Sequence, residues 1–376
     1  MRIFLLTFFC ITSFVLNAQF SARFVVTDVA TKKNDDIYIA GNFNNWNPKD
    51  ENYKLKPFGG TRKSIVLKDL PAGNYAFKFT RGVDKYECAS DGRDISDRMV
   101  EVNADISIEY TIAGWKDDYP ERPKTYSASP QVRIIDTAFF IPQLNRKRRI
   151  WIYLPKNYAS VGKAYPVLYM QDGQNLFNEK TSFAKEWGVD ECLDTLQNKL
   201  GKECIVVGID NGGDKRMNEY NPYDHFQYGK GEGDFYVDFI ATVLKPFIDG
   251  KYRTRKSAEH TYIAGSSLGG LISWYAVLKH PSVFGGAGIF SPSFWVSPQV
   301  YLDAEKFTTS SIPKFYFYAG EKEEISMVAN MKKVATILQK KPQFVTRSVV
   351  NPLGQHNETY WRQEFADFYK WMANNW

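Results

Sequence analysis

The residues that could do chemistry here are a serine between glycines, a histidine near the far end of the chain and an acidic cluster between them. The stretch 261–270 reads as a short apolar strand, then Gly265-Ser-Ser-Leu-Gly269, and residues 271–279 continue with helical character. A serine on such a strand-to-helix turn holds its Oγ clear of the backbone, and Gly265 and Gly269 are needed where a Cβ would collide with the neighbouring strand and helix. Ser267 is then the candidate nucleophile, and the N–H of Leu268 at the helix start points where an oxyanion would form. Outside that context the same five residues would be a small-residue turn around an inert serine.

A serine hydroxyl needs a base within hydrogen-bond reach, and the base needs an acid to orient it. With four histidines the search is short. His260 enters the elbow strand at the wrong end, and His280 closes the following helix before Pro281. His225 lies in the loop 218–227 and could line a pocket. His356 follows the last strand through Pro352-Leu-Gly-Gln355 and precedes the last helix, which makes it the candidate base. The acid should follow the strand 314–319, where the chain offers Gly320-Glu-Lys-Glu-Glu324; spacing alone leaves Glu321, Glu323 and Glu324 open.

The elements that position these groups alternate strand with helix. Residues 132–141 and 149–154 alternate as two strands, and 165–170 and 204–209 are continuous apolar runs, as expected of strands buried on both faces. Helical spacing covers 183–200, 235–248, 328–338 and 359–372, with further strands at 287–290, 314–319 and 344–350. This rhythm predicts a mostly parallel sheet with crossover helices, whose ligands bind beyond the carboxyl ends of the strands.

Ahead of it, residues 19–115 carry short alternating runs at 22–29, 36–40, 64–67, 75–79, 99–102 and 106–112, split by Gly, Asn, Asp and Pro. That pattern predicts a small all-β, immunoglobulin-like sandwich. Three prolines and mixed charge over 116–130 read as a semi-rigid linker, leaving 131–376 for the α/β part.

At 376 residues the chain is long for one compact domain, and 44% hydrophobic with 24% charged residues describes a globular protein with a full core. The formal net charge of +6 comes from interspersed charges, and no basic stripe points to nucleic acid. Residues 1–18 combine Arg2, a short apolar run and Ala18 before a plausible cut. They read as a secretory signal peptide, which places the mature protein outside the cell or in the periplasm with no membrane span. Cys88, Cys192 and Cys204 remain after removal; an odd number excludes a disulfide scaffold, one bridge (Cys192 to Cys204 is nearest) or separate thiols both being open.

Several motifs together resemble the putative esterase family of α/β-hydrolases, which includes feruloyl, acetyl xylan and siderophore esterases. They are Arg148-Arg-Ile-Trp-Ile-Tyr-Leu-Pro155, Asp172-Gly-Gln-Asn-Leu-Phe177, Glu186-Trp-Gly-Val-Asp190, the serine turn, and Gly354-Gln-His-Asn-Glu358 with Trp361. The resemblance covers about residues 131 to 376 and implies an α/β-hydrolase fold and a serine esterase that needs no cofactor; with the signal peptide, the expectation is an exported serine esterase. It favours Glu323 as the acid, and it assigns a second oxyanion donor to the N–H of Gln174, with Asp172 and Asp190 as loop-tying residues. In the front module, the pieces 37–48, 70–79 and Lys85-Tyr-Glu87 resemble starch- and glycogen-binding modules. That resemblance implies sugar stacking on Trp46 and Tyr86, against the plainer reading of a structural spacer, and with the export signal it points to esters on plant polysaccharides. A siderophore or other small-molecule ester, with Lys215, Arg216 and Lys230 as possible cationic lining, is the alternative; a non-catalytic polysaccharide binder is a third.

Overall fold

The computed structural model describes residues 19–376 except 96, 120–122, 184, 226–227, 325 and 375. The expected signal peptide, with Cys10, lies outside the described residues. The chain divides into two compact units, Met1–Glu121 and Arg122–Trp376.

In the first unit, Gln19–Val29 pairs with Lys63–Pro71 on one side and Ile106–Ile112 on the other, and a second sheet joins Tyr38–Gly41, Gly73–Thr80 and Arg98–Val102. Alternate residues of the facing strands supply the core: Ala22, Phe24 and Val26 from one sheet meet Phe77 and Phe79 from the other. Phe24 and Phe77 touch edge to face at 5.0 Å, the geometry their ring quadrupoles favour. The segment expected to begin the linker is folded into this unit. Gly114–Trp115 pairs with Glu87–Cys88, and Lys116–Asp118 forms a 3-10 turn whose Asp117 and Asp118 pair with Lys32.

The second unit holds an eight-stranded sheet: β1 (Val132–Ile141), β2 (Arg146–Tyr153), β3 (Val167–Gln171), β4 (Ile205–Ile209), β5 (Thr261–Ser266), β6 (Gly286–Phe290), β7 (Lys314–Gly320) and β8 (Val345–Asn351). Their spatial order is β1-β2-β4-β3-β5-β6-β7-β8. The β1–β2 and β2–β4 pairs are antiparallel and the rest parallel. Strands β3 to β6 are buried at every position, which is why they read as apolar runs broken only at the strand ends, at Gln171, Thr261 and Ser266. Residues 123–130 have no regular structure but are pinned to this unit: Ser127 Oγ donates to Glu186 at 2.9 Å and Ser129 N to Asp190 at 2.7 Å.

Two helices differ from their sequence patterns. The one expected over 183–200 begins at Val189, because Gly188 before it is left-handed (φ +59°) and Phe183 is 88% exposed. The one expected over 235–248 is two helices, Gly233–Phe239 and Lys245–Lys251, joined by a π turn, Ile240–Leu244. Pro246 has no N–H to offer the preceding turn, and the wider turn absorbs the lost bond. Cys88, Cys192 and Cys204 are free thiols; burial pushes Cys192 up to about 11 and Cys204 higher still. Among the described residues no helix is long and apolar enough to cross a membrane.

Candidate active site

Ser267 leaves β5 with φ +59° and ψ −124° and starts the helix Leu268–Lys279. That backbone lies in a region where non-glycine residues are rare and strained, and the flanking packing must hold it there. A Cβ on Gly265 would come 2.8 Å from the backbone of Gly269 and from Gln171 Cγ. One on Gly269 would come 3.1 Å from Gln171 Cβ and 3.2 Å from Asp172 Oδ2. The glycines therefore let the elbow close on itself and seat against the exit of β3, which neighbours β5. The helix is buried on nearly all sides, including Leu271, Ile272, Trp274 and Val277, so the elbow rests on a fixed base.

Glu323 follows β7 and His356 follows β8, the adjacent strand. His356 Nδ1 lies 2.8 Å from Glu323 Oε2. The Glu323 side chain is fully buried, whereas that of His356 is 37% exposed. The other Glu323 oxygen accepts from Gly320 N at 2.6 Å and Ser291 Oγ at 2.7 Å. Ser291 Oγ in turn accepts from Trp361 Nε1 at 2.9 Å, and the Trp361 ring meets the His356 ring edge-on at 5.1 Å. Of the three glutamates the spacing left open, Glu323 is the one bonded to His356; Glu321 is exposed.

The two loops are joined by backbone as well. Glu321 N donates to Asn351 O and Lys322 N to Gly354 O, each at 2.9 Å, and a Cβ on Gly320 would run into the backbone of Gly354. Just beyond His356, Asn357 caps the helix Glu358–Ala373 by accepting from Thr359 N. Its buried stripe Trp361, Phe365, Phe368 and Met372 fixes the helix in the core.

Gln174 sits in the 3-10 turn Gly173–Asn175 after β3, which opens on the left-handed Asp172 (φ +54°). Asp172 accepts from Arg216 Nε at 2.7 Å and Nη2 at 2.8 Å and from Asn211 Nδ2 at 2.7 Å. Asn211 N donates to Gln174 Oε1 at 3.1 Å. Although burial works against its charge, the facing Asp172 carboxylate holds the Arg216 guanidinium above its ordinary value. Arg216 is thus committed to the turn, while Lys215 and Lys230 are exposed. Asp190 also ties a loop, through Ser129 N.

The sequence reading missed the exit of β6. Ser291 is fully buried with φ +44°, and Ser293 Oγ stands 3.1 Å from Ser267 Oγ. The signal was present, since Phe290-Ser-Pro-Ser-Phe294 follows a central strand at its carboxyl end, where ligands bind in such sheets.

In the first unit, Trp46 has φ +58° in a turn held by Asn44, which accepts from Gly41 N and donates to Ile39 O. Tyr86 is half-buried. Among the described residues no ring contact joins the two.

A family model described as Putative esterase matches residues 141–372. The uncharacterized protein YbbA of Bacillus subtilis (strain 168) is 31% identical over 154 residues, which are 39% of this chain and 58% of that protein. The chain thus spans just over half the length of that relative. The endo-1,4-beta-xylanase/feruloyl esterase of Xylanibacter ruminicola is 26% identical over 160 residues, 40% of this chain and 20% of that one. Among solved structures, the enterochelin esterase of Shigella flexneri superposes with a TM-score of 0.52 at 17% identity, covering 89% of this chain and 88% of its own. The α/β architecture is shared with that solved structure, and with more than half of its length under the family model the chain belongs to the Putative esterase family.

Proposed function

We propose that the protein is an exported serine esterase in which Ser267, His356 and Glu323 act together. The observation that carries the reading is the 2.8 Å pair of a fully buried Glu323 and His356, in the loops two and three strands along from a serine on a strained strand-to-helix turn. Ser267 Oγ attacks the ester carbonyl while its proton passes to His356, whose other ring N–H donates to Glu323. The tetrahedral oxyanion accepts from the N–H groups of Leu268 and Gln174. The first turn of a helix has no internal acceptor for its N–H groups, so that of Leu268 costs no helical bond. His356 returns the proton to the leaving alcohol, then takes one from the water that attacks the acyl-enzyme; the free acid leaves and Ser267 is restored. The chemistry draws on no metal or organic cofactor.

The substrate we favour is an acyl ester, feruloyl or acetyl, on plant polysaccharide fragments. The relative that joins a xylanase to a feruloyl esterase supports it. A front module that stacks sugar on Trp46 and Tyr86 would hold the enzyme to the polymer; as a spacer it would leave catalysis unchanged. The second reading, hydrolysis of a siderophore ester, draws on the likeness to an enterochelin esterase along most of the chain. Against it stands the pairing of Arg216 with Asp172, which leaves that cation neutralised.

The test is hydrolysis of 4-nitrophenyl acetate by the wild type and Ser267→Ala, where loss of the nucleophile should cut turnover by about a millionfold; equal rates would remove the enzyme reading. Feruloylated and acetylated xylan fragments assayed beside a catecholate siderophore separate the two substrates. Retention on insoluble starch or xylan, compared between wild type and Trp46→Ala, decides the role of the front module.

A further inference from the structure

Two serines meet where the adjacent strands β5 and β6 end. Ser293 Oγ lies 3.1 Å from Ser267 Oγ, and Ser293 N donates to Ser267 O, also at 3.1 Å. A side-chain and a main-chain contact between the same two residues fix how far apart the hydroxyls stand. Among the described residues, each of these hydroxyls has the other as its hydrogen-bond partner.

The mounting of Ser293 is rigid on both sides. Upstream, Ser291 N donates to Tyr318 O at 2.7 Å and ties the segment to β7. Downstream, Phe294 is packed edge-on against the core residue Trp274 at 5.5 Å, and Val296 N closes a turn on Ser293 O at 3.2 Å. Ser293 itself is 3% exposed, so bulk water does not compete for its hydroxyl. The protein thus holds a buried, pre-aimed O–H against the oxygen that is the candidate nucleophile.

We infer that Ser293 is a further catalytic residue: its O–H donates to Ser267 Oγ and stabilises the charge that oxygen gains, first as its proton leaves and again as the acyl group departs. This rests on the esterase reading and adds a group to its machinery. A serine oxygen has one proton and two lone pairs. In the attack its proton goes to His356 and one lone pair to the ester carbon, which leaves the second pair to accept. The bridging proton between the two serines is then that of Ser293, and it stays on Ser293 throughout, while the carbonyl π pair moves onto the oxyanion. When the acyl-enzyme breaks down, the oxyanion pair re-forms the carbonyl. The C–Oγ bond breaks with its pair going to Oγ, and His356 returns a proton there. A hydrogen bond to a charged oxygen is stronger than one to a neutral hydroxyl, and only that difference speeds the reaction. It corresponds to about tenfold in rate.

The test measures kcat and KM for 4-nitrophenyl acetate together with the rate at which diethyl 4-nitrophenyl phosphate phosphorylates the enzyme, which reads Ser267 Oγ directly as a nucleophile. In Ser293→Ala both kcat and the phosphorylation rate should fall about tenfold, with KM nearly unchanged because both half-reactions slow together. Ser293→Thr, which keeps the hydroxyl, should recover most of the loss; Ser293→Val, of the same shape without it, should not. Rates within about twofold of wild type in Ser293→Ala, equal rates in the Thr and Val variants, or a loss confined to KM would each overturn the role of Ser293. With hydrolysis still dependent on Ser267, those outcomes leave the esterase reading intact. No hydrolysis by the wild type, or hydrolysis that survives Ser267→Ala, overturns both.

Discussion

Replacing Ser291 by alanine isolates the support behind the acid. The substitution keeps the backbone, whose φ of +44° costs alanine much what it costs serine, and removes one hydroxyl that works twice. It donates to Glu323 at 2.7 Å and accepts from Trp361 Nε1 at 2.9 Å. A hydrogen bond to a charged group contributes about 1.5–3 kcal/mol, and a buried N–H left without an acceptor costs about 1–3 kcal/mol. The two overlap in one site and do not add fully, so a loss of about 3 kcal/mol is expected. For a unit of this size that corresponds to a Tm lowered by roughly 6–12 °C. Glu323 keeps Gly320 N at 2.6 Å and stays buried but loses one of its two tethers, so the imidazole it aims drifts. The kcat for a simple methyl ester should fall on the order of tenfold at a nearly unchanged KM, because misplacement weakens the reacting geometry more than binding. Scanning calorimetry and steady-state kinetics on the same preparation decide it. A Tm within about a degree of wild type and a kcat within about twofold would refute the claim that this hydroxyl holds the carboxylate.

Two further outcomes follow from packing and charge. Burial first, and then the neighbouring Glu191 carboxylate, raise the Asp190 carboxyl to about 7, with Ser129 N opposing. Its folded pKa is thus above its unfolded one, so the folded state binds the extra proton and stability falls as pH rises from about 4 to about 7. At about 1.4 kcal/mol per unit, a few kcal/mol are at stake. Asp190→Asn, whose side-chain oxygen still accepts from Ser129 N, should flatten urea-derived stability across that window; a slope identical to wild type would contradict the account. In Gly265→Ala the new Cβ would meet Gly269 backbone at 2.8 Å, and neither the strand nor the buried helix can yield, so soluble yield and activity should drop together. An active variant with an unchanged Tm would show that the elbow has more room than this packing allows.

What could be read from the chain alone followed chemistry and periodicity. The glycines around Ser267 announce the elbow because nothing else fits there, and β3 to β6 announce themselves because burial on both faces keeps them apolar except at their ends, Gln171, Thr261 and Ser266. His356 emerged by eliminating three other histidines. Spacing could not choose among Glu321, Glu323 and Glu324, since the choice depends on how the loops after β7 and β8 meet across Gly320 and Gly354. The start of the helix at Val189 and the break before Pro246 were missed because apolar spacing continues through residues whose backbone does not. Ser291 and Ser293 escaped notice because a serine near a proline reads as ordinary loop until its strand is known to lie between those of Ser267 and Glu323.

The placement of β6 has a consequence for redesign. Its three-residue exit, Ser291 to Ser293, acts as a gauge block: one end bears on the acid and the other on the nucleophile. Substitutions at the exposed Trp295 beyond it leave that spacing untouched, whereas Phe294 and Val296 are buried in the core and anchor the block. An insertion or deletion even one residue upstream would shift both at once.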